Sequence, residues 1–384
     1  HTEGLLMKVS CLQENLVKGL NYVSRAVAAR TATLPVLTHV LLATDNGRLK
    51  IAATNLELGI NCWIGAKVED EGAITVPART FAELIALLPA DRVDLDLNIR
   101  TQTLRIQCGH TDNNIKGIDA QEFPIIPAFE PAGAAFVDAA VLKKMIGKVV
   151  FAAATDESRP MLTGVLTKLE NDTIVMAAAD GFRLSVCNGS LKEPVAEPRT
   201  ILVPARAVAE VARILGDQEE PVAISVTPSR GQVLFHMQNV DVVAQLIDQR
   251  FPDYQPIIPK RFDTRTIIST ADILKACRQA SIFARESSDT MRLKITPNDD
   301  VEPGKVTVTA RADETGDNES QLEANAQGVA IEIAFNVKYL IDVLAVIDAP
   351  QVALETTVPK SPGLLKPVGD ESFLHVVMPM HLPR

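Results

Sequence analysis

The residue types that do chemistry are all present in this chain, but not at spacings that would let them work together. Its six histidines are scattered, with no HExxH pair and no Cys-His spacing of a zinc site. No serine sits in a GxSxG turn that would raise a nucleophile above a sheet. No Gly-rich loop ending in Lys-Ser or Lys-Thr is present to cradle a phosphate chain. The acidic runs VEDEG at 68–72 and GDQEEP at 216–221 read as turns with a solvated face. The cysteines at 11, 62, 108, 187 and 277 form no CxxC pair and are odd in number. They read as reduced, buried thiols of a cytosolic protein rather than as a disulfide framework. The expectation is therefore no catalytic residue, no metal and no cofactor.

Composition narrows the class further. With 384 residues, 47% apolar and 22% charged, the chain can bury a large core in two or three domains of an ordinary soluble protein. Aromatic residues are only 4%, which argues against base stacking on rows of rings. No run of 18 apolar residues occurs, so no membrane-spanning helix is expected. The first residues, HTEGLL, lack the pattern of a secretory signal and read as a leftover tag or linker ahead of a native start at Met7. A net charge of −10 argues, taken as a whole, against a nucleic-acid partner.

The elements that carry the chain are repeated. PVLTHVL begins at Pro35 and PMLTGVL at Pro160, 125 residues on. LKIAATN from Leu49 matches IVMAAAD from Ile174 at the same offset, and VPARTFAEL from Val76 matches VPARAVAEV from Val203 at 127. EFPIIP closes the first copy at Pro127 and RFPDYQPIIP the second at Pro259. A fainter third copy aligns Lys143 with Lys275 and sets FNVKYLIDVL, from Phe335, where VPARAVAEVARIL stood. Four matches in one order indicate duplication. The copies span 7–130, 131–258 and 259–384. Each reads as helix, strands, helix, strands, which is α+β with antiparallel sheets and helices on one face. In the second copy Leu142, Met145, Ile146, Val149 and Val150 form one helical stripe, with Lys144 and Lys148 on the opposite face.

The charge is not spread evenly over these elements. Helices are expected at 10–30, 79–88, 138–150, 205–215, 271–285 and 336–347. Their basic residues are Lys18, Arg25, Arg30, Arg79, Lys143, Lys144, Lys148, Arg206, Arg213, Lys275, Arg278, Arg285 and Lys338, thirteen against six acidic ones. The helices thus carry a surplus of seven and the remainder −17. Helices gathered on one surface would make a polyanion site on an acidic body. Lys18, Arg25, Arg30, Arg79, Lys144, Lys148, Arg206, Arg213, Lys275 and Arg278 are the candidate phosphate contacts, with Lys18, Arg30, Lys144 and Lys148 foremost. The other reading is a solvated helix face.

TLPVLTHVLL, AAADGFRLSV, RFPDYQPIIP, FNVKYLIDVL and the terminal VVMPMHLP together resemble the bacterial DNA sliding clamps, the beta subunits of DNA polymerase III, over essentially the whole chain. The resemblance implies three repeated clamp domains, each with two helices on antiparallel sheets, and two chains closing head to tail into a ring. It implies sequence-independent binding of duplex DNA through phosphate contacts, which do not report sequence. It further implies a cytoplasmic, non-catalytic processivity factor that tethers the replicative polymerase, the clamp loader and repair polymerases. Those partners would insert short peptides into a pocket formed by Leu162, Gly181, Phe182, Arg183, Leu184, Pro252, Ile257, Asn336, Tyr339, Val376, Val377, Met378, Pro379 and Met380. Met and Leu adapt to varied ligands, and Arg183 and Asn336 could hydrogen-bond a peptide backbone. Ile115, Ile118, Ile282 and Phe283 are the implied dimer contacts, with intradomain core as the other reading.

The chain departs from the family pattern in places. Phe182 stands where His is frequent, and Gln255 and Pro256 stand where two basic residues often follow FPDY. Residues His381 to Arg384 follow VVMPM, and no apolar pocket residue is found between Glu286 and Met291. A rival class stays open: a metal-dependent enzyme or scaffold of duplicated α+β units with an acidic cleft.

Overall fold

A computed structural model describes residues 5–29, 33–229 and 231–381. Six α-helices stand among them: α1 (Gln13–Val23), α2 (Ala78–Leu87), α3 (Ala139–Val149), α4 (Ala205–Leu215), α5 (Thr270–Ala284) and α6 (Val337–Leu344). Each repeat therefore holds two. Helix α4 shows why such segments fold as they do: Ala207, Val208, Val211, Ile214 and Leu215 recur at helical spacing and are buried. Polar caps fix two starts. The Ser269 side chain accepts from Asp272 N ahead of α5, and that of Asn336 from Lys338 N ahead of α6.

The first helix is shorter than the expected 10–30. Residues 10–12 finish a strand, Leu5–Leu12, and a 3₁₀ turn, Ser24–Ala26, follows α1. Met7, Val9, Ser10 and Cys11 are buried, and the segment pairs with Arg92–Asn98 as a strand rather than continuing the helix. The helical period starts only with Leu16, Leu20 and Val23. No helix of the described residues is long and apolar enough to cross a membrane.

The chain divides into two compact units. The first joins the described residues up to Ala140 to Arg206–Leu246; the second joins Val141–Ala205 to the chain from Ile247 onward. The second repeat is thus shared between them, and the sheets explain why. In the first unit a nine-stranded sheet runs from the first repeat into the second. Its joint is the strand Leu58–Gly65 paired antiparallel with Val240–Gln245, Ile60 opposite Val242. A separate five-stranded sheet in that unit ends on the strand Thr111–Lys116.

In the second unit a twelve-stranded sheet makes the equivalent joint. Arg183–Ser190, which lies 125 residues after Leu58–Gly65, pairs antiparallel with Phe373–Val377, Leu184 opposite Val376. The order from there is Arg183–Ser190, Phe373–Val377, Gly363–Pro367, Gln351–Thr356, Thr264–Ser269. All five cysteines are buried and free. Burial pushes the thiols of Cys11, Cys62 and Cys277 up to about 12 and that of Cys187 to about 11, which keeps them protonated and inert.

Candidate functional site

A groove of about 660 Å³ opens in the second unit, across one end of the five strands just named. Its deep part is apolar. Leu162, Leu184 and Val376 pack with Leu166, Phe251, Tyr254 and Leu364 in one buried cluster, and Leu184 and Val376 reach the groove surface. Its rim carries large apolar side chains in the open: Phe182 is 57% exposed, Ile257 44% and Met378 39%. These are the side chains that gain most by being covered.

The turn before Arg183 is built to hold that rim. The Asp180 carboxylate accepts from the backbone N–H groups of Phe182 and Arg183, at 2.9 and 3.0 Å. Gly181 has φ +94°, and an added Cβ would stand 2.6 Å from Arg159 Nη1, so the position tolerates little else. The chain end closes the other side: Met378 N donates to Phe182 O at 2.8 Å and Met380 N to Ala334 O at 2.8 Å.

Seven of the fourteen expected pocket residues line the groove: Gly181, Phe182, Arg183, Leu184, Ile257, Val376 and Met378. Leu162 lies beneath it in the cluster. Val377 is fully buried, its backbone opposite Arg183. Pro252, Asn336, Tyr339, Pro379 and Met380 do not line it.

Arg183 and Asn336 both have partners within the chain that the sequence does not reveal. The Arg183 guanidinium donates to Asp180 (2.9 Å), Asp342 (2.6 Å) and Phe151 O (2.9 Å), and it lies 4.3 Å from the centre of the Tyr339 ring. With its side chain only 10% exposed, three of its five N–H donors are committed within the chain. Asn336 spends its side-chain oxygen on the start of α6. Both residues hold the wall. Behind them His375 Nδ1 lies 2.7 Å from Ser185 Oγ; burial, with the Arg183 charge adding to it, pushes this imidazole down to about 3. Lys260, Arg261, Asp263, Thr357, Val358 and Pro362 also line the groove and were not anticipated. They follow the Pro-Ile-Ile-Pro closer or sit in a strand-to-strand turn, where no repeated motif marks them.

The helix cations fall into distinct settings. In the first unit Lys18, Arg25 and Arg206 are exposed and form no ion pair among the described residues. Arg206 Nη2 donates to Arg25 O at 3.2 Å and Arg213 Nη2 to Tyr22 O at 3.0 Å, so two arginines of α4 lie against the carbonyl-rich end of α1. Arg213 also pairs with Glu210 at 2.6 Å, and Arg79 with Glu83 at 2.7 Å. In the second unit Lys275 and Arg278 are exposed without a carboxylate partner among the described residues, and Lys144 pairs with Asp348 at 3.1 Å. Arg30 lies outside the described residues.

Lys148 is a correction. Its residue is 3% exposed, its Nζ lies 2.9 Å from Asp370 and 5.2 Å from the centre of the Phe373 ring. The stripe of α3 is wide enough to take it in. Burial pushes the Asp370 carboxyl up, but hydrogen bonds from Ser372 and Lys148 outweigh that and hold it at about 2. This lysine is internally neutralised and faces no external anion.

The implied dimer contacts also divide. Ile115 is 8% exposed and sits opposite Leu104 in its own sheet, and Ile118 packs on the Val36, Ala52 and Phe123 cluster. Those two side chains pack within their own unit, which is the other reading given to them. Ile282 is 59% exposed and Phe283 half-buried. Among the described residues no group of three or more His, Cys, Asp or Glu side chains could hold a metal ion.

Three family models of the DNA polymerase III beta subunit match in order: the N-terminal domain over 7–127, the central domain over 136–253 and the C-terminal domain over 255–381. The beta sliding clamp of Staphylococcus aureus is 30% identical over 384 residues, covering 98% of this chain and 99% of that protein. The DNA polymerase sliding clamp of Bacillus subtilis superposes with a TM-score of 0.92 at 28% identity, over 98% of this chain and 100% of that one. The Pseudomonas aeruginosa sliding clamp solved with griselimycin bound gives 0.89 at 28% identity, again over 98% and 100%. None of these likenesses supports a duplicated metal-dependent enzyme. Repeats, fused antiparallel sheets and full-length likeness together mean that the chain belongs to the beta sliding clamp family, the DNA polymerase III beta subunits, which are processivity clamps in DNA replication.

Proposed function

We propose that two copies of this chain close head to tail around duplex DNA and tether polymerases through the groove. The family implies DNA and a polymerase as partners. The finer reading rests on one observation, the way the repeats join. Leu58–Gly65 of the first repeat takes up Val240–Gln245 of the second, and Arg183–Ser190 takes up Phe373–Val377 of the third. The matching strand of the third repeat is the first part of Gly316–Gly328. It pairs with Gly304–Ala312 on one side, while only Thr264–Ile267 reaches the other side, near its end. The matching last strand of the first repeat, Thr111–Lys116, ends its sheet. One acceptor edge and one donor edge are thus left over, and a second copy supplies both needs at once, by two-fold symmetry. Asn113 Nδ2 and Asn318 Oδ1, on these two strands, are buried and without hydrogen-bond partners among the described residues.

In this reading the domains are 7–130, 131–258 and 259–384. Lys18, Arg25, Arg30, Arg79, Lys144, Arg206, Arg213, Lys275 and Arg278 contact phosphates loosely enough to slide, in a hole about 20 Å or more across. Ile282 and Phe283 seal the joint. The protein works in the cytoplasm, catalyses nothing itself, and hands one groove between replicative polymerase, clamp loader and repair polymerases. The test is topological. A loaded clamp is expected to stay on nicked circular DNA through gel filtration and to run off once the circle is linearised. Equal loss from both forms sinks the ring.

A further inference from the structure

The groove has a polarity that its apolar floor does not explain. Its lining residues can be placed along the sheet by strand order. Phe182 and Leu184 belong to the Arg183–Ser190 end, and Val376 and Met378 to the Phe373–Val377 end next to it. Pro362 precedes Gly363–Pro367, and Val358 follows Gln351–Thr356. Lys260 and Arg261 come just before Thr264–Ser269, and Asp263 N donates to Thr356 O at 2.9 Å, which ties that segment to the far end. Four strand spacings separate the two ends, about 19 Å, or roughly six residues of extended peptide.

Charge follows the same axis. At the first end Arg183 is neutralised by Asp180 and Asp342. At the other, Lys260 and Arg261 are exposed and form no ion pair among the described residues. Lys360 is likewise exposed on the Val358–Ser361 turn. Asp263 is the single carboxylate in the lining. On a chain of net charge −10, a cationic mouth at one end of an apolar slot is complementary to a guest that is apolar at one end and acidic at the other.

We infer that the groove carries an electrostatic subsite at Lys260 and Arg261, and that its peptide guests place acidic side chains about six residues from their apolar anchors. This rests on the reading of the groove as a partner-peptide site. Exposed pairs are individually weak, so the subsite selects among guests more than it holds them.

The test is fluorescence anisotropy on the full chain with peptides sharing a Leu-Phe anchor. They differ only in a Glu, Gln or Lys pair about six residues away, on the N-terminal or the C-terminal side. In one of the two orders the Glu peptide is expected to bind about fivefold tighter than the Gln peptide, and the Lys peptide weaker still. The spread is expected to close as salt is raised towards about 1 M. In the Lys260→Glu/Arg261→Glu variant the ranking is expected to invert, which damage to the fold would not produce. Equal affinities for all three peptides in both orders overturn the subsite and leave the groove standing. No binding by any peptide overturns both.

Discussion

Lys148 and Arg206 are both cations on the two helices of the second repeat, yet their surroundings give them opposite work. Lys148 is enclosed and paired with Asp370, while Arg206 is exposed and touches only a backbone carbonyl. Lys148→Ala is expected to cost on the order of 2–3 kcal/mol, because it strands a partly buried carboxylate. It should leave the salt dependence of DNA binding unchanged. Arg206→Ala is expected to leave stability within about 0.5 kcal/mol and to lower the slope of log affinity against log salt by roughly one. Urea titration and anisotropy on a duplex at several salt concentrations read both; a normal slope for Arg206→Ala removes it from the DNA surface. The residue type and its spacing reveal the basic set, but not this split. The partner that claims Lys148 lies 222 positions away, beyond any helical or strand period. Arg183 escaped the same way, since Asp342 is 159 positions off.

Among the elements, the C-terminal segment bears most directly on the groove. Its strand is central in the sheet, and the residues after it return as rim: Met378 lines the groove, and Met378 and Met380 each donate a backbone hydrogen bond to a neighbouring segment. Deleting Met378 through Arg384 is expected to weaken a Leu-Phe peptide about tenfold or more, since a large apolar contact is lost. The sedimentation coefficient should be unchanged, because no dimer edge is touched. Undiminished peptide binding would take the segment out of the site. The family resemblance points to this segment, and VVMPM is apolar where chain ends are usually polar and frayed. The sequence reading missed Lys260 and Arg261 because they lie in a connection with no periodicity. It overran α1 because Ser10–Leu12 are compatible with either period, and only pairing with Arg92–Asp94 decides for the strand.

For the molecule as a whole, the three repeats were visible in the order and offset of short motifs, and with them the α+β class. The fusion of their sheets was not, because a ladder such as Leu58–Gly65 on Val240–Gln245 joins segments some 180 residues apart with nothing in either to name the other. The proposed joint between copies follows the same logic, and Phe283 lies 4.0 Å from where a Cβ on Gly316 would be, on the strand left with an open edge. Ile282→Asp/Phe283→Asp is expected to convert a dimer of about 83 kDa, twice 41.5, into monomers in analytical ultracentrifugation. A persistent dimer at micromolar concentration would clear both residues of that role.

The two joints inside the chain have a consequence for how such a gene can change. Leu58–Gly65 and Arg183–Ser190 each complete their hydrogen bonds only with a strand from the following repeat. Removing one copy leaves its neighbours no shorter of edges, since the remaining copies can still join last strand to first. Removing half a copy is different. It bares a long apolar ladder in the middle of a sheet, where unpaired strands invite aggregation. The repeat is therefore the smallest unit whose removal leaves the internal ladders paired.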